Sequence, residues 1–191
     1  MSLKRSGVLF LIAFLCFCTK AGAQDYSFGL YSSLKGVGGV FEHSRPKHCF
    51  NCYSAMMDIY GMPTGRSNMP GGHFAFSHNV IYSEFEDNGV RYRLYWGTGC
   101  SLGFVHDFEK GLFASPGGTV LRKNYGLMAA LDGNYGCKFI FREALCIDVR
   151  FTGEFGFHMR KDEIHGNMDL SCYLNGIFRA LYPQVVLSYM F

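Results

Sequence analysis

The 191-residue chain is 49% hydrophobic and 17% aromatic, and only 17% of its residues are charged. This length fits one domain, and so few charges with so many aromatic side chains exclude a disordered chain. Three of the 18 Lys and Arg residues lie within the first 23 residues, which leaves 15 basic residues against 15 acidic ones, so no nucleic-acid-binding surface is expected.

The first 23 residues have the pattern of a secretory signal peptide. Lys4 and Arg5 form a positive segment, residues 7–18 an apolar one, and Ala21, Gly22 and Ala23 a small-residue cleavage site. A transmembrane anchor would need about 20 apolar residues, and this run is shorter. The sequence therefore predicts a signal peptide over 1–23 and a mature domain over 24–191.

Beyond the signal peptide, apolar and polar residues alternate with period 2, which is typical of β-strands. In the clearest case, Leu145, Ile147 and Val149 alternate with Asp148 and Arg150. Three such segments are about 15 residues long, whereas soluble strands usually have five or six. Eight strands are predicted, over 26–33, 37–42, 50–61, 72–85, 90–105, 126–141, 145–159 and 182–191.

The connections between these strands alternate between short and long. Residues 86–89 and 142–144 are tight turns, whereas 62–71, 106–125 and 160–180 are long. Transmembrane barrels have short periplasmic turns and longer extracellular loops. The sequence thus predicts an all-β fold, an antiparallel up-and-down transmembrane β-barrel of eight strands. Within the last long connection, residues 168–181 are predicted either to form a short helix or to lengthen the barrel wall.

The last predicted strand carries the most specific pattern. Val185, Leu187, Tyr189 and Phe191 occupy alternate positions, and Phe191 is the final residue. This ending resembles the C-terminal signature of outer-membrane β-barrels in Gram-negative bacteria, which the barrel assembly machinery recognises. The resemblance implies that these four residues form an assembly signal.

The mature chain as a whole resembles the small eight-stranded outer-membrane barrels of OmpA/OmpX-like architecture. More narrowly, it resembles uncharacterised Bacteroidetes-type barrel proteins that contain a domain of unknown function. The resemblance implies a location in the cell outer membrane and brings no established activity. The segments that carry it are Met57-Asp58-Ile59-Tyr60-Gly61 with Thr64-Gly65-Arg66, Tyr92-Arg93-Leu94-Tyr95-Trp96-Gly97, Gly126-Leu127-Met128-Ala129-Ala130-Leu131, Phe151-Thr152-Gly153-Glu154-Phe155-Gly156 and Tyr182-Pro183-Gln184.

The strand faces opposite the apolar ones carry charges of both signs. An eight-stranded barrel has an interior just wide enough for side chains to fill, and buried charges are tolerable only when paired. We therefore predict a filled, neutral polar lumen without an open channel. The predicted lumenal charge network comprises Arg91, Arg93, Lys138 and Arg150 with Asp58, Asp132, Asp148 and Glu154.

These features favour a structural or surface-binding outer-membrane barrel without catalysis and without a cofactor or metal. Its expected partners are outer-membrane lipids and lipopolysaccharide, through basic loop residues, and the barrel assembly machinery; the ligand of the loops is otherwise unknown. The alternative is a lipid-modifying enzyme, an acyl hydrolase or acyltransferase, that uses a Ser and a His of the outer loops. The candidates are His106 and His165 with Ser67 and Ser115, although no catalytic triad motif is present. Cys49 and Cys52 match a C-x-x-C pattern, but no second pair at zinc-ligand spacing follows.

Overall fold

The computed structural model describes residues 25–33, 36–46, 48–59, 71–105, 126–161, 167–174 and 183–191. The predicted signal peptide lies outside these residues, as does most of each predicted outer loop. The described residues form nine strands: β1 (Tyr26–Ser32), β2 (Gly36–Arg45), β3 (Cys49–Asp58), β4 (Gly71–Asp87), β5 (Val90–Val105), β6 (Gly126–Phe141), β7 (Leu145–Lys161), β8 (Met168–Leu174) and β9 (Gln184–Met190).

The strands close into a ring. Each of β1 to β7 pairs antiparallel with the next along the chain, and β9 joins β7 to β1. β8 pairs with residues 155–161 of β7 and β9 with residues 145–150, so β8 and β9 occupy the eighth position one after the other. The fold is a closed, eight-stranded, antiparallel up-and-down barrel, which confirms the predicted fold class.

Most strand boundaries differ from the prediction by one to three residues, and only β5 and β6 keep their predicted bounds. β2 continues to Arg45, three residues past the predicted end, and β8 lies within a predicted outer loop. Met168 and Leu170 on β8 are both largely exposed, as expected for one face of a strand with period 2. Residues 168–174 therefore lengthen the barrel wall, and the rest of the predicted helical segment, 175–181, lies outside the described residues.

A β-bulge in β4 explains a sequence pattern that mixes both faces. The pairing with β5 shifts between Ile81 and Ser83, so that Tyr82 is the extra residue. A bulge adds one residue to one strand and reverses the facing of every residue beyond it. His78 therefore faces outward and Glu84 inward, although an even spacing in the sequence assigns them to one face.

The two ends of the barrel differ in their connections. One end, hereafter the turn end, holds the connections at 46–48, 88–89 and 142–144 together with both termini of the described barrel. Asn88 and Gly89 both have positive φ, of 51° and 75°, which suits a two-residue hairpin turn. The opposite end, hereafter the loop end, holds the short connection at 33–35 and the longer connections that include residues 60–70, 106–125 and 162–166.

The barrel wall is apolar outside and polar inside. On β9, Gln184 and Ser188 are buried in the lumen, while Val185, Leu187 and Tyr189 are 42%, 50% and 44% exposed on the outer surface. Such a large exposed apolar surface is unusual for a protein surrounded by water. Residues in the described ranges form no helix that is long and apolar enough to cross a membrane.

Aromatic side chains form a partial girdle around the outside of the turn end. The Phe85 and Tyr92 rings stack with their centroids 4.9 Å apart, and Tyr92 meets Phe139 edge-on at 5.5 Å. On the other side of the barrel, Tyr26 stacks on Phe191 at 6.4 Å. Girdles of this kind flank the apolar band of transmembrane barrels at the membrane interfaces.

Candidate functional site

The lumen is crossed by a buried cluster of charged side chains. Its members, hereafter the lumenal ion cluster, are Glu42, Tyr95, Lys138, Asp148 and Arg150, and each is no more than 6% exposed. They come from β2, β5, β6 and β7, and β2 lies across the barrel from β6. The two cations and two carboxylates make the cluster formally neutral.

Glu42 joins the two sides of the lumen. Its Oε2 atom accepts hydrogen bonds from Lys138 Nζ at 2.5 Å and from Ser27 Oγ at 3.0 Å. Its Oε1 atom accepts from Arg150 Nη2 at 2.9 Å. A single carboxylate thus pairs with both buried cations, and charge-assisted bonds of this kind are the strong ones.

Arg150 is held by four different groups. Besides Glu42, its Nη2 atom donates to Asp148 Oδ2 at 2.6 Å, and Nε donates to the Tyr95 hydroxyl at 2.9 Å. Nη1 lies 3.0 Å from Cys52 Sγ. The Tyr95 hydroxyl in turn donates to the Asp148 carboxylate at 2.9 Å. This fully connected arrangement offsets the desolvation penalty of the buried charges with ion pairs and hydrogen bonds.

Aromatic rings complete the packing around Lys138. The Lys138 ammonium lies 3.6 Å from the centroid of the Phe50 ring, and Phe50 meets Tyr95 edge-on at 5.0 Å. An ammonium over an aromatic face gains a cation–π attraction that is stronger when water is excluded. The lumen at this level is therefore filled by side chains on all sides.

Two small cavities lie on either side of the cluster within the described part of the barrel. A cavity of about 30 Å³ lies toward the loop end, and one of about 20 Å³ lies toward the turn end. Each has room for about one water molecule. The lumenal ion cluster therefore closes the barrel to larger solutes at this level.

A second polar layer lies between the ion cluster and the loop end. Ser101 donates to Asp132 at 3.0 Å, and Thr152 donates to Gln184 at 3.0 Å. Asp132 and Glu154 are directly opposite each other on β6 and β7, and both are buried. These two predicted carboxylates therefore face the lumen in a different layer from Lys138 and Arg150.

The two predicted arginines of β5 belong to a separate group near the turn end. Arg93 Nη2 lies 3.2 Å from Glu84 Oε1, and Arg91 Nη2 lies 3.2 Å from Glu143 Oε1. They are partly exposed and pair with carboxylates outside the predicted set. Asp58 ends β3, and its side chain lies outside the described part of the structure.

Sequence reasoning missed Glu42 and Tyr95, although both are central to the cluster. Glu42 lies on β2 between Phe41 and His43, where glycines and Val40 interrupt the alternation of apolar and polar residues. Tyr95 is completely buried. The alternation along β5 places it on the same face as Arg91 and Arg93, but nothing in the sequence links a tyrosine hydroxyl to the charge network. Val40 shares the inward face with Glu42, which an apolar side chain two positions away does not indicate.

The C-x-x-C pair cannot act as a unit in this fold. Cys49 and Cys52 are three positions apart on β3, so their side chains point to opposite faces of the wall. Cys52 is a free thiol, as are Cys100, Cys137 and Cys146. Within the ranges that the structure describes, no group of three His, Cys, Asp or Glu side chains is arranged to hold a metal ion.

The residues of the enzymatic alternative lie outside the described residues; they are Ser67, His106, Ser115 and His165. The four residues of the predicted assembly signal are described. Val185, Leu187 and Tyr189 face outward from β9, and the backbone of Phe191 exchanges hydrogen bonds with Tyr26 at the turn end. Their recognition by the assembly machinery stays a prediction.

Comparison with known proteins supports the fold. The barrel is similar to the crystal structure of the N-terminal β-barrel domain of Pseudomonas aeruginosa OprF, with a TM-score of 0.55 and 11% identity over 87% of this chain and 96% of that chain. It is also similar to a major outer membrane protein from Thermus thermophilus, with a TM-score of 0.45 and 11% identity over 87% and 99%. No family model and no curated protein matches the chain.

The first of these likenesses bears on architecture. Most of the described chain and almost all of the OprF domain superimpose, although few residues are shared. The common feature is the small β-barrel fold. The second likeness is more distant and adds no weight to this conclusion.

Proposed function

We propose that the chain is an outer-membrane β-barrel protein with a structural or surface-binding role, without catalysis and with a filled lumen. The observation that carries this proposal is the combination of an apolar outer wall with a lumen closed by the lumenal ion cluster. A lumen filled by ion pairs gives a substrate no access, and its buried charges are already engaged with one another. The similarity to an outer-membrane domain supports the proposed location.

The proposed partners follow from the same location. The turn end faces the periplasm and the loop end faces the cell exterior, in line with short periplasmic turns and long outer loops. Arg122 and Lys123 in the longest loop carry charges that suit lipid phosphates. Outer-membrane lipids and lipopolysaccharide are thus the proposed ligands. The barrel assembly machinery is the second proposed partner, and it recognises the C-terminal segment that ends at Phe191. We also propose that the chain is related to the Bacteroidetes-type barrel proteins that it resembles in sequence.

The location can be checked by fractionating cells that express the chain. We expect a mature form that begins at Gln24 and sediments with the outer membrane, because 1–23 has the signal-peptide pattern and the barrel exposes an apolar wall. Mass spectrometry of the purified protein identifies its first residue, and separation of inner and outer membranes identifies its compartment. A soluble periplasmic protein would contradict the proposal.

The closed lumen can be checked by electrical recording. In planar bilayers the wild-type barrel should show no stable large conductance, since open aqueous channels are found in barrels of about 16 strands or more. A barrel folded in detergent and verified by circular dichroism is the sample to use, with a known porin as the positive control. A stable conductance from the verified monomeric barrel would show that the cluster does not close the lumen.

A further inference from the structure

The outer wall of β2, β3 and β4 carries a polar row close to the aromatic girdle of the turn end. His43, Asn51 and His78 are direct cross-strand neighbours that all point outward. His43 stacks on Tyr26 of the girdle with ring centroids 4.7 Å apart. Polar side chains are uncommon on the lipid-facing side of a membrane protein, and they mark functional positions there.

Arg45 contacts this row from the side that is nearer the turn end. With the Asn51 amide oriented to satisfy its neighbours, its oxygen accepts from Arg45 Nε and Nη2, both at 3.2 Å, and its nitrogen donates to His78 Nδ1 at 2.8 Å. Asn51 is only 4% exposed although it faces outward, because these side chains cover it. A guanidinium has five N–H groups, so Arg45 retains donors for a further acceptor.

An apolar groove begins next to the polar row, on its side toward the loop end. Two residues further from the turn end on the same strands lie Phe41, Tyr53 and Phe76, which are again cross-strand neighbours. The next row consists of Gly39, Ala55 and Phe74. Gly39 has no side chain and Ala55 has only a methyl group, and both lie between aromatic residues. The space that they leave is a groove of about 460 Å³ in the outer wall. Sites for small ligands commonly have volumes of about 300–1,000 Å³.

The charge on this surface has one sign. Among the described outward-facing residues of β2, β3 and the first ten residues of β4, the ionisable groups are Arg45, His43, His78, Cys49 and Tyr53, and no carboxylate is present. A cation beside the girdle lies at the depth of lipid headgroups. The groove extends from there into the apolar band, in the direction that an acyl chain takes.

We propose that this surface binds one glycerophospholipid of the periplasmic leaflet, with its phosphate at Arg45 and His43 and one acyl chain in the groove over Gly39 and Ala55. The inference rests on the proposed outer-membrane location, because that location places the turn end in the periplasmic leaflet. A guanidinium binds phosphate oxygens with two parallel N–H donors. A second copy of the chain would cover the groove without using the cation, since this face offers no carboxylate to pair with Arg45.

The test is native mass spectrometry of the full-length mature barrel in detergent with two added probes. Phosphatidylglycerol and a diacylglycerol with the same acyl chains differ only in the phosphate headgroup. We expect the wild type to retain one phosphatidylglycerol and to bind diacylglycerol about tenfold more weakly, as the loss of a charge-assisted contact implies. Arg45→Gln should weaken the binding of phosphatidylglycerol about tenfold and leave the binding of diacylglycerol unchanged. Arg142→Gln, at a turn on another side of the barrel, should change the binding of neither lipid.

A second pair of variants tests the groove itself. Gly39→Leu should abolish retention of both probes, because a Cβ added at Gly39 meets only the Phe28 ring, at 3.9 Å, and the rest of the side chain occupies the groove. Gly133→Leu is the matched control, since Gly133 faces outward on β6 with nothing within 4 Å of an added Cβ. Equal effects of the two leucines, or equal retention of the two probes, would overturn the proposal.

Two other results would be equally decisive. A dimer in the same spectra that is lost in Gly39→Leu but kept in Gly133→Leu would assign the groove to a second copy and overturn the lipid site. Insertion into phospholipid vesicles is measured in parallel for every variant. A wild type that does not insert contradicts the proposed function, whereas one that inserts and retains no phosphatidylglycerol contradicts only the lipid site.

Discussion

Glu42→Gln is expected to lower the free energy of unfolding of the barrel by about 3 to 5 kcal/mol, the usual effect of removing one partner from a buried ion pair. The substitution keeps the shape of the side chain but removes the charge that pairs with Lys138 and Arg150. Both cations then stay buried, and only Arg150 keeps a carboxylate partner, Asp148. Urea titration of the barrel in lipid vesicles measures the change.

Two further variants identify the cause of that loss. Glu86→Gln removes a carboxylate whose side chain is 61% exposed and lies 4.0 Å from Arg91, so it should change stability by less than about 1 kcal/mol. The double variant Glu42→Gln with Lys138→Met should cost less than the sum of its single changes, because the unpaired cation is gone. A Glu42→Gln effect as small as that of Glu86→Gln would show that the cluster does not stabilise the lumen.

The wall of the barrel was predictable because its physics is local. Alternation of apolar and polar residues is a property of each strand alone, and the tight turn at Asn88 and Gly89 requires residues that accept positive φ. β5 and β6 accordingly have their predicted bounds. The strand count also followed, since each short turn joins two strands that run in opposite directions.

The pairing inside the lumen was less predictable because it depends on which strands face each other. Glu42 and Lys138 are 96 residues apart in sequence and meet only when the ring closes. A pattern on one strand can show that a charge faces inward, but not the depth at which it lies. For this reason the sequence pattern groups Arg91 and Arg93 with Asp148, whereas they pair with Glu84 and Glu143 near the turn end.

Interruptions of a strand leave little trace in the sequence. The bulge at Tyr82 inserts no glycine or proline, and it reverses the facing of Glu84 without changing the composition of β4. The eighth strand position is divided between β8 and β9, so its two apolar patterns are separated by residues 175–183. Neither feature is a property of a single periodic segment, so the sequence pattern did not locate the bulge and left residues 168–181 as either a short helix or an extension of the wall.

Leu30→Arg is expected to destabilise the membrane-inserted barrel by about 2 to 4 kcal/mol, the range for an arginine on the lipid-facing side near the bilayer midplane. Leu30 is 69% exposed and lies four residues above Tyr26 of the girdle. Four residues of a tilted strand rise roughly 10 Å, close to half of an apolar band about 25 Å tall. In a water-soluble barrel the same change would place a charge in water at almost no cost.

Leu145→Arg is the matched control because it makes the same chemical change at a different depth. Leu145 is 43% exposed and follows the turn at 142–144, where it pairs with Tyr189 at the level of the girdle. An arginine near the interface costs only about 0 to 1 kcal/mol, since its guanidinium reaches the headgroups. Folding titrations of both variants in the same vesicles give the comparison. Equal stabilities for the two arginines would mean that the outer wall does not sense the depth of a bilayer, and the proposed membrane location would then be wrong.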